Sequence, residues 1–169
     1  MHELAATLEL HPGVGLEESA VPAQSVLEEL SRDELSVDHV QRRVDDWAHR
    51  IEALYSEVES WLSVGWTARR APPVQMHEEL MRQMGLPKRE LPTLELMHKG
   101  VVSGKFRPFG LWIIGTTNGR VDLIKGNERL LLLDHARTFE PADWYVALSA
   151  DRRVSKPFND AWLKAWLIS

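Results

Sequence analysis

The chain of 169 residues predicts a single α+β domain in which a long N-terminal helix and a C-terminal helix pack on an antiparallel or mixed sheet of about five strands. Three observations carry that expectation. Apolar residues recur at Val37, Val40, Val44, Trp47, Ile51, Leu54, Val58 and Trp61, a strict three-four alternation that belongs to a helix. Short apolar runs between Thr93 and Leu148 are punctuated by Gly, Asn and Pro, as in a β-meander. Phe158, Ala161, Trp162, Ala165 and Trp166 then return to helical spacing. The expected organisation is mainly helical over 1–90, a meander over 91–150 and a closing helix over 157–168.

Taken in order, His11-Pro12-Gly13-Val14-Gly15 reads as a turn and Pro22 to Leu30 as a short helix, after which Ser31 and Glu34 have capping-box spacing. The heptad segment from Val37 predicts a helix of about 27 residues, roughly 40 Å long. Its stripe has two possible uses: packing on the chain's own sheet, or pairing with a second copy through helix 37–61. Trp47 and Trp61 in the seam favour the first, because a two-stranded coil packs branched aliphatics better than indoles. Pro72-Pro73, Gly85, Pro87 and Pro92 bracket a short helix from about Val74 to Met84 with a methionine-rich face.

The strands follow. Thr93 to His98 is one, Lys99-Gly100 a break, and Leu111 to Thr116 a second. Asn118-Gly119 carries the positive-φ tolerance of a type I′ hairpin turn, so Arg120 to Ile124 is expected to return directly beside it. Lys125 to Glu128 turns again, and Arg129 to Asp134, apolar on both faces, reads as a central strand. Trp144 to Leu148 is the last strand, and Pro157 to Ile168 the closing helix.

Composition narrows the chemistry. The chain has no cysteine, which removes disulfides, thiolate metal ligands and a cysteine nucleophile. No apolar run approaches a membrane span and no basic-then-apolar leader is present, so a cytoplasmic protein is expected. Residues 1–65 hold 4 Arg and 14 Asp or Glu, a net −10, whereas residues 66–169 hold 16 Lys or Arg and 11 Asp or Glu, a net +5. That basic excess is spread too thinly to point firmly at nucleic acid. There is no Gly-rich phosphate loop, no zinc-protease helix motif and no nucleophile elbow.

One segment has the form of a site. Gly119 precedes a strand carrying Asp122; a turn follows, then an apolar strand ending in Asp134, with His135 beside it. Residues 119–136 resemble the core of the restriction-endonuclease-like nucleases, the PD-(D/E)xK superfamily. The resemblance implies that Asp122 and Asp134 hold Mg²⁺ or Mn²⁺, with His135 a further candidate acid/base. It also calls for a lysine at position 136, where this chain has Ala136. Two carboxylates suit a hard cation that keeps its remaining oxygens from water and phosphate. The arrangement requires a specific register. If Ile124 faces Arg129, Asp122 faces Leu131 and the two acids point to opposite faces; if Lys125 faces Leu131, Asp122 lies opposite Asp134.

The main expectation is nevertheless a non-enzymatic, cofactor-free interaction module, with a regulatory, adaptor or immunity-like role and a protein partner; the metal-dependent nuclease-like protein, active or degenerate, is the alternative. Seven tryptophans suit the interaction module, because Trp anchors interfaces as well as cores; Trp47, Trp61, Trp162 and Trp166 are the candidate contact residues.

Overall fold

A computed structural model describes residues 36–169; the expected turn at 11–15, the helix at 22–30 and the capping box at Ser31 lie outside the described residues. The long helix, α1, runs Val37–Trp61 over 25 residues, and its N-cap is Ser36, whose Oγ accepts from the His39 amide at 3.1 Å. Val44, Trp47, Ile51, Leu54 and Val58 are buried in one core with the domain's own sheet, and Val40 is buried as well. No apolar stripe is left on α1 for a second helix. Each such side chain stabilises the fold by about 1.5–3 kcal/mol relative to exposure, so this packing outweighs any single polar contact.

The sheet has seven strands where five were expected, all antiparallel and in sequence order: β1 (Trp66–Met76), β2 (Arg89–His98), β3 (Val101–Gly110), β4 (Arg120–Lys125), β5 (Glu128–Asp134), β6 (Trp144–Leu148) and β7 (Ser155–Pro157). A five-residue helix, α2 (Glu79–Gln83), joins β1 to β2, and the closing helix is α3 (Asp160–Ile168). Among the described residues, no helix is long and apolar enough to cross a membrane.

Three departures from the sequence expectation have physical causes. First, the helix expected over Val74 to Met84 shrinks to α2, because Val74 to Met76 continue β1, a strand that runs through Pro72-Pro73. The prolines are tolerated because β1 is an edge strand and the register shifts between Ala71 and Val74. Pro92 falls in the same gap, between the pairs Ala71↔Thr93 and Val74↔Leu91, and its carbonyl accepts from the Tyr55 hydroxyl at 2.8 Å.

Second, Lys99-Gly100 is a hairpin turn with both residues at positive φ, and the strand it feeds is β3, which ends at Gly110. Third, residues 111–119 form a loop and not a strand with a two-residue turn. Asn118 is fully buried, and its Nδ2 donates to the carbonyls of Ala136 at 2.8 Å and Arg137 at 3.2 Å. Tertiary hydrogen bonding thus holds Asn118 away from the hairpin its local sequence favours.

One face of the sheet, formed by Leu94, Leu96, Phe106, Val121, Leu123 and Leu132, carries α1 and α3. A smaller cluster of Leu131, Leu133 and Ala147 lies on the other face. Asn159 caps α3 by accepting from the Trp162 amide at 2.9 Å, and the helix lays Trp166 over Gly104, where an added Cβ would sit 3.1 Å from the indole.

Among the described glycines, Gly119 leaves the least room for a side chain. It adopts φ +88°, and a Cβ there would meet the Gly110 carbonyl at 2.6 Å and the Trp47 ring at 2.8 Å. Gly119→Ala is expected to cost at least about 2 kcal/mol, from left-handed strain plus a clash with backbone that cannot move aside. Denaturant unfolding checks it, with Gly126→Ala, which has open space but shares the positive φ, as the reference for strain alone.

Candidate functional site

The register at the β4–β5 hairpin decides what the paired acids can do. Ile124 pairs with Arg129, Asp122 with Leu131 and Arg120 with Leu133, so the turn is short and Asp122 and Asp134 point to opposite faces. Asp134 shares the α1 side with its cross-strand neighbour Trp144, which packs on Trp47 with ring centroids 6.2 Å apart. The two carboxylates are not brought together, and in this register they cannot share one ion. Among the described residues, no three acidic or histidine side chains converge as a metal-holding group.

Each acid has a defined set of partners instead. Asp134 is completely buried; its Oδ2 accepts from Arg50 at 2.8 Å, and its Oδ1 accepts from the amides of Ala136 at 3.0 Å and Asp143 at 2.9 Å. Arg50 is itself only 4% exposed and also donates to Asp46 at 2.6 Å and to the Glu140 carbonyl. The result is a charge pair from α1 to the end of β5 in which each guanidinium nitrogen and each carboxylate oxygen has at least one hydrogen-bond partner. Asp122 accepts from Arg120 at 2.7 Å on the opposite face, with Arg129 at 3.7 Å, and the Arg120 guanidinium lies over the Phe109 ring at 4.0 Å.

His135 is exposed, stacks on Tyr145 at 4.6 Å and has its amide bonded to the Asp143 carbonyl, so it faces neither acid as a relay partner. Ala136, at the position where the resemblance calls for lysine, is buried and serves through its backbone, donating to Asp134 and accepting from Asn118.

The candidate tryptophans divide by burial. Trp47 is fully enclosed in the core, and Trp166 is 6% exposed with its Nε1 donating to Glu128 at 2.6 Å. Trp61 and Trp162 remain half-buried, each against Phe158, at 5.5 and 5.7 Å. Sequence reasoning did not single out Arg50, whose only signal is a cation three residues beyond Trp47 in the heptad seam. Nor did it single out Glu78. That carboxylate accepts from the amides of Leu111 at 2.9 Å and Trp112 at 3.2 Å and holds the start of the β3–β4 loop.

Two outcomes are expected. Asp134→Ala leaves Arg50 buried with one partner fewer and should cost about 3–5 kcal/mol in chemical denaturation, most of it recovered in the Arg50→Met/Asp134→Leu pair. Burial raises the Glu78 carboxyl above the usual carboxylate range, against the lowering effect of the two amides. The folded state therefore holds that proton more tightly than the unfolded chain. The contribution is present at low pH and lost as pH rises through the raised value, so the stability of wild type relative to Glu78→Gln should fall over that window. Parallel melts from pH 4 to pH 8 read the difference, and a flat difference would contradict it. No family model, curated protein or solved structure matches this chain.

Proposed function

We propose that the chain is a protein-interaction module, non-enzymatic, with a regulatory, adaptor or immunity-like role. The observation that supports this reading is where apolar surface stays exposed. Leu148, Val154 and Ile168 are all at least 46% exposed, and they belong to the surroundings of α3 together with the half-buried Trp61 and Trp162.

Two shallow clefts flank that helix. One, of about 260 Å³, is lined by Trp61, Leu62, Trp66, Leu167 and Ile168. The other, of about 150 Å³, lies among Leu130, Val146, Leu148, Val154 and Trp162. Both are smaller than the several hundred Å³ usual for cofactor pockets, and both are mostly apolar. Their size suits single anchoring side chains of a partner protein, with indole walls to exclude water.

The metal-dependent nuclease reading draws no support from the placement of Asp122 and Asp134. The test combines two assays. Affinity capture with wild type, Leu148→Asp and Ile168→Asp should retain a partner with wild type and lose it with variants that melt like wild type. Incubation with DNA and RNA in Mg²⁺ or Mn²⁺ should leave both intact; cleavage abolished by Asp122→Ala and Asp134→Ala would sink the proposal.

A further inference from the structure

Among the described residues the sheet ends in an unpaired edge whose charges are uneven. Among the described residues β1 pairs only with β2, and from Trp66↔His98 to Ala71↔Thr93 that pairing is unbroken. Alternate residues of this stretch therefore direct N–H and C=O away from the sheet, toward a further strand, except that the Trp66 amide already donates to the Ser63 carbonyl at 3.1 Å. The opposite edge differs: β7 is three residues long and ends at Pro157.

The side chains beside the β1 edge distinguish possible occupants. On the face away from α1, one cross-strand row reads Arg69, Glu95, Lys105. Glu95 lies 2.8 Å from Arg69 and 3.8 Å from Lys105, so a single acid serves two cations, and Arg69 keeps 57% of its side chain exposed. A residue added outside Arg69 completes the alternation of sign only if it is acidic.

On the α1 side the balance is reversed. Arg70 lies 2.9 Å from Glu52 and 3.7 Å from Glu59 and needs no further acid. Its neighbours on that face are Ala68 and Trp66, the latter a wall of the larger apolar cleft. The incoming strand should therefore carry acidic residues on one face and apolar residues on the other. A second copy of this chain fits poorly, because its own residues 66–71 bring two further arginines and no acid to the edge.

We infer that the outer edge of β1, residues 66–71, is a β-addition site for an extended acidic-apolar segment of a partner protein. This rests on the interaction-module reading and names the partner's chemistry. Backbone hydrogen bonds supply the register, and the alternating side chains supply the selectivity.

The test uses the full chain and fluorescein-labelled peptides of alternating Glu and Val, read by anisotropy. The Glu/Val peptide should bind and its Lys/Val counterpart should not. Two further Glu/Val peptides carry backbone N-methyl groups on the odd or on the even residues. Since only one set of N–H groups faces β1, one methylated peptide should bind like the parent and the other should lose binding. Arg69→Glu should weaken the Glu/Val peptide about tenfold and admit the Lys/Val peptide. Its lost ion pair is exposed and adds little to stability; Arg69→Gln, expected to weaken binding without admitting Lys/Val, serves if Glu disturbs the strand.

Equal binding of the two methylated peptides, indifference to both Arg69 variants, or no binding of the Glu/Val peptide would overturn the proposal. So would a dimer in light scattering that Arg69→Glu alters, or a labelled single-stranded oligonucleotide that displaces the peptide. If the peptides fail while partner capture is still lost in Leu148→Asp, the edge site is wrong and the interaction module stands. If capture is unaffected by both Leu148→Asp on β6 and Ile168→Asp on α3, the surface around α3 is wrong, and the peptide titration still decides the edge.

Discussion

The buried pair between Arg50 and Asp134 is the constraint on which one end of this domain is built. Two charges out of water are tolerable only when well partnered, and here every charged nitrogen and oxygen has a partner: Asp134 takes two backbone amides besides the guanidinium, and Arg50 reaches Asp46 and the Glu140 carbonyl. The apolar stripe of α1 gives the energy of packing but little directional information. The charge pair supplies direction, setting which residue of the helix stands over the end of β5.

Other contacts depend on that placement. The segment after β5 is drawn in by the Asp134 amide bonds, and its Ala136 and Arg137 carbonyls receive Asn118. Asn118 in turn holds the β3–β4 loop, which Arg43 of α1 meets at the Thr117 carbonyl, 2.6 Å away. This end of the domain is tied together by polar contacts, with Ile114 and Phe139 exposed on its loops. Around α3, Leu148, Val154 and Ile168 are exposed beside the two clefts. An interaction surface belongs where apolar area is left open, and the acids that resemble a metal site lie where polar groups are already committed.

Much of the fold is legible from residue spacing. The α1 stripe, the two-sided apolarity of β5, the β6 strand and the aromatic closing helix all follow from periodicity, because burial on one face or two leaves a direct imprint on the sequence. β1 leaves a weaker imprint: as an edge strand it is mostly exposed, and Pro72-Pro73 in its bulge mimic a break. β3 is obscured similarly, since Gly104 beneath Trp166 removes an apolar residue where alternation calls for one. The local turn preference of Asn118-Gly119 is overridden by the burial of Asn118.

By itself the sequence determined that an amphipathic helix and a meander must share one core, and that Asp122 and Asp134 lie on neighbouring strands. Their relationship was decided only by the tertiary structure. A strand's side chains alternate faces, so an odd shift in register, here the three residues from Leu131 to Asp134, separates a shared site from two unrelated ion pairs, and composition carries no record of that difference. The observed register, together with an arginine brought in from α1, makes Asp134 a structural anchor, while Asp122 pairs with Arg120 on the far side of the sheet.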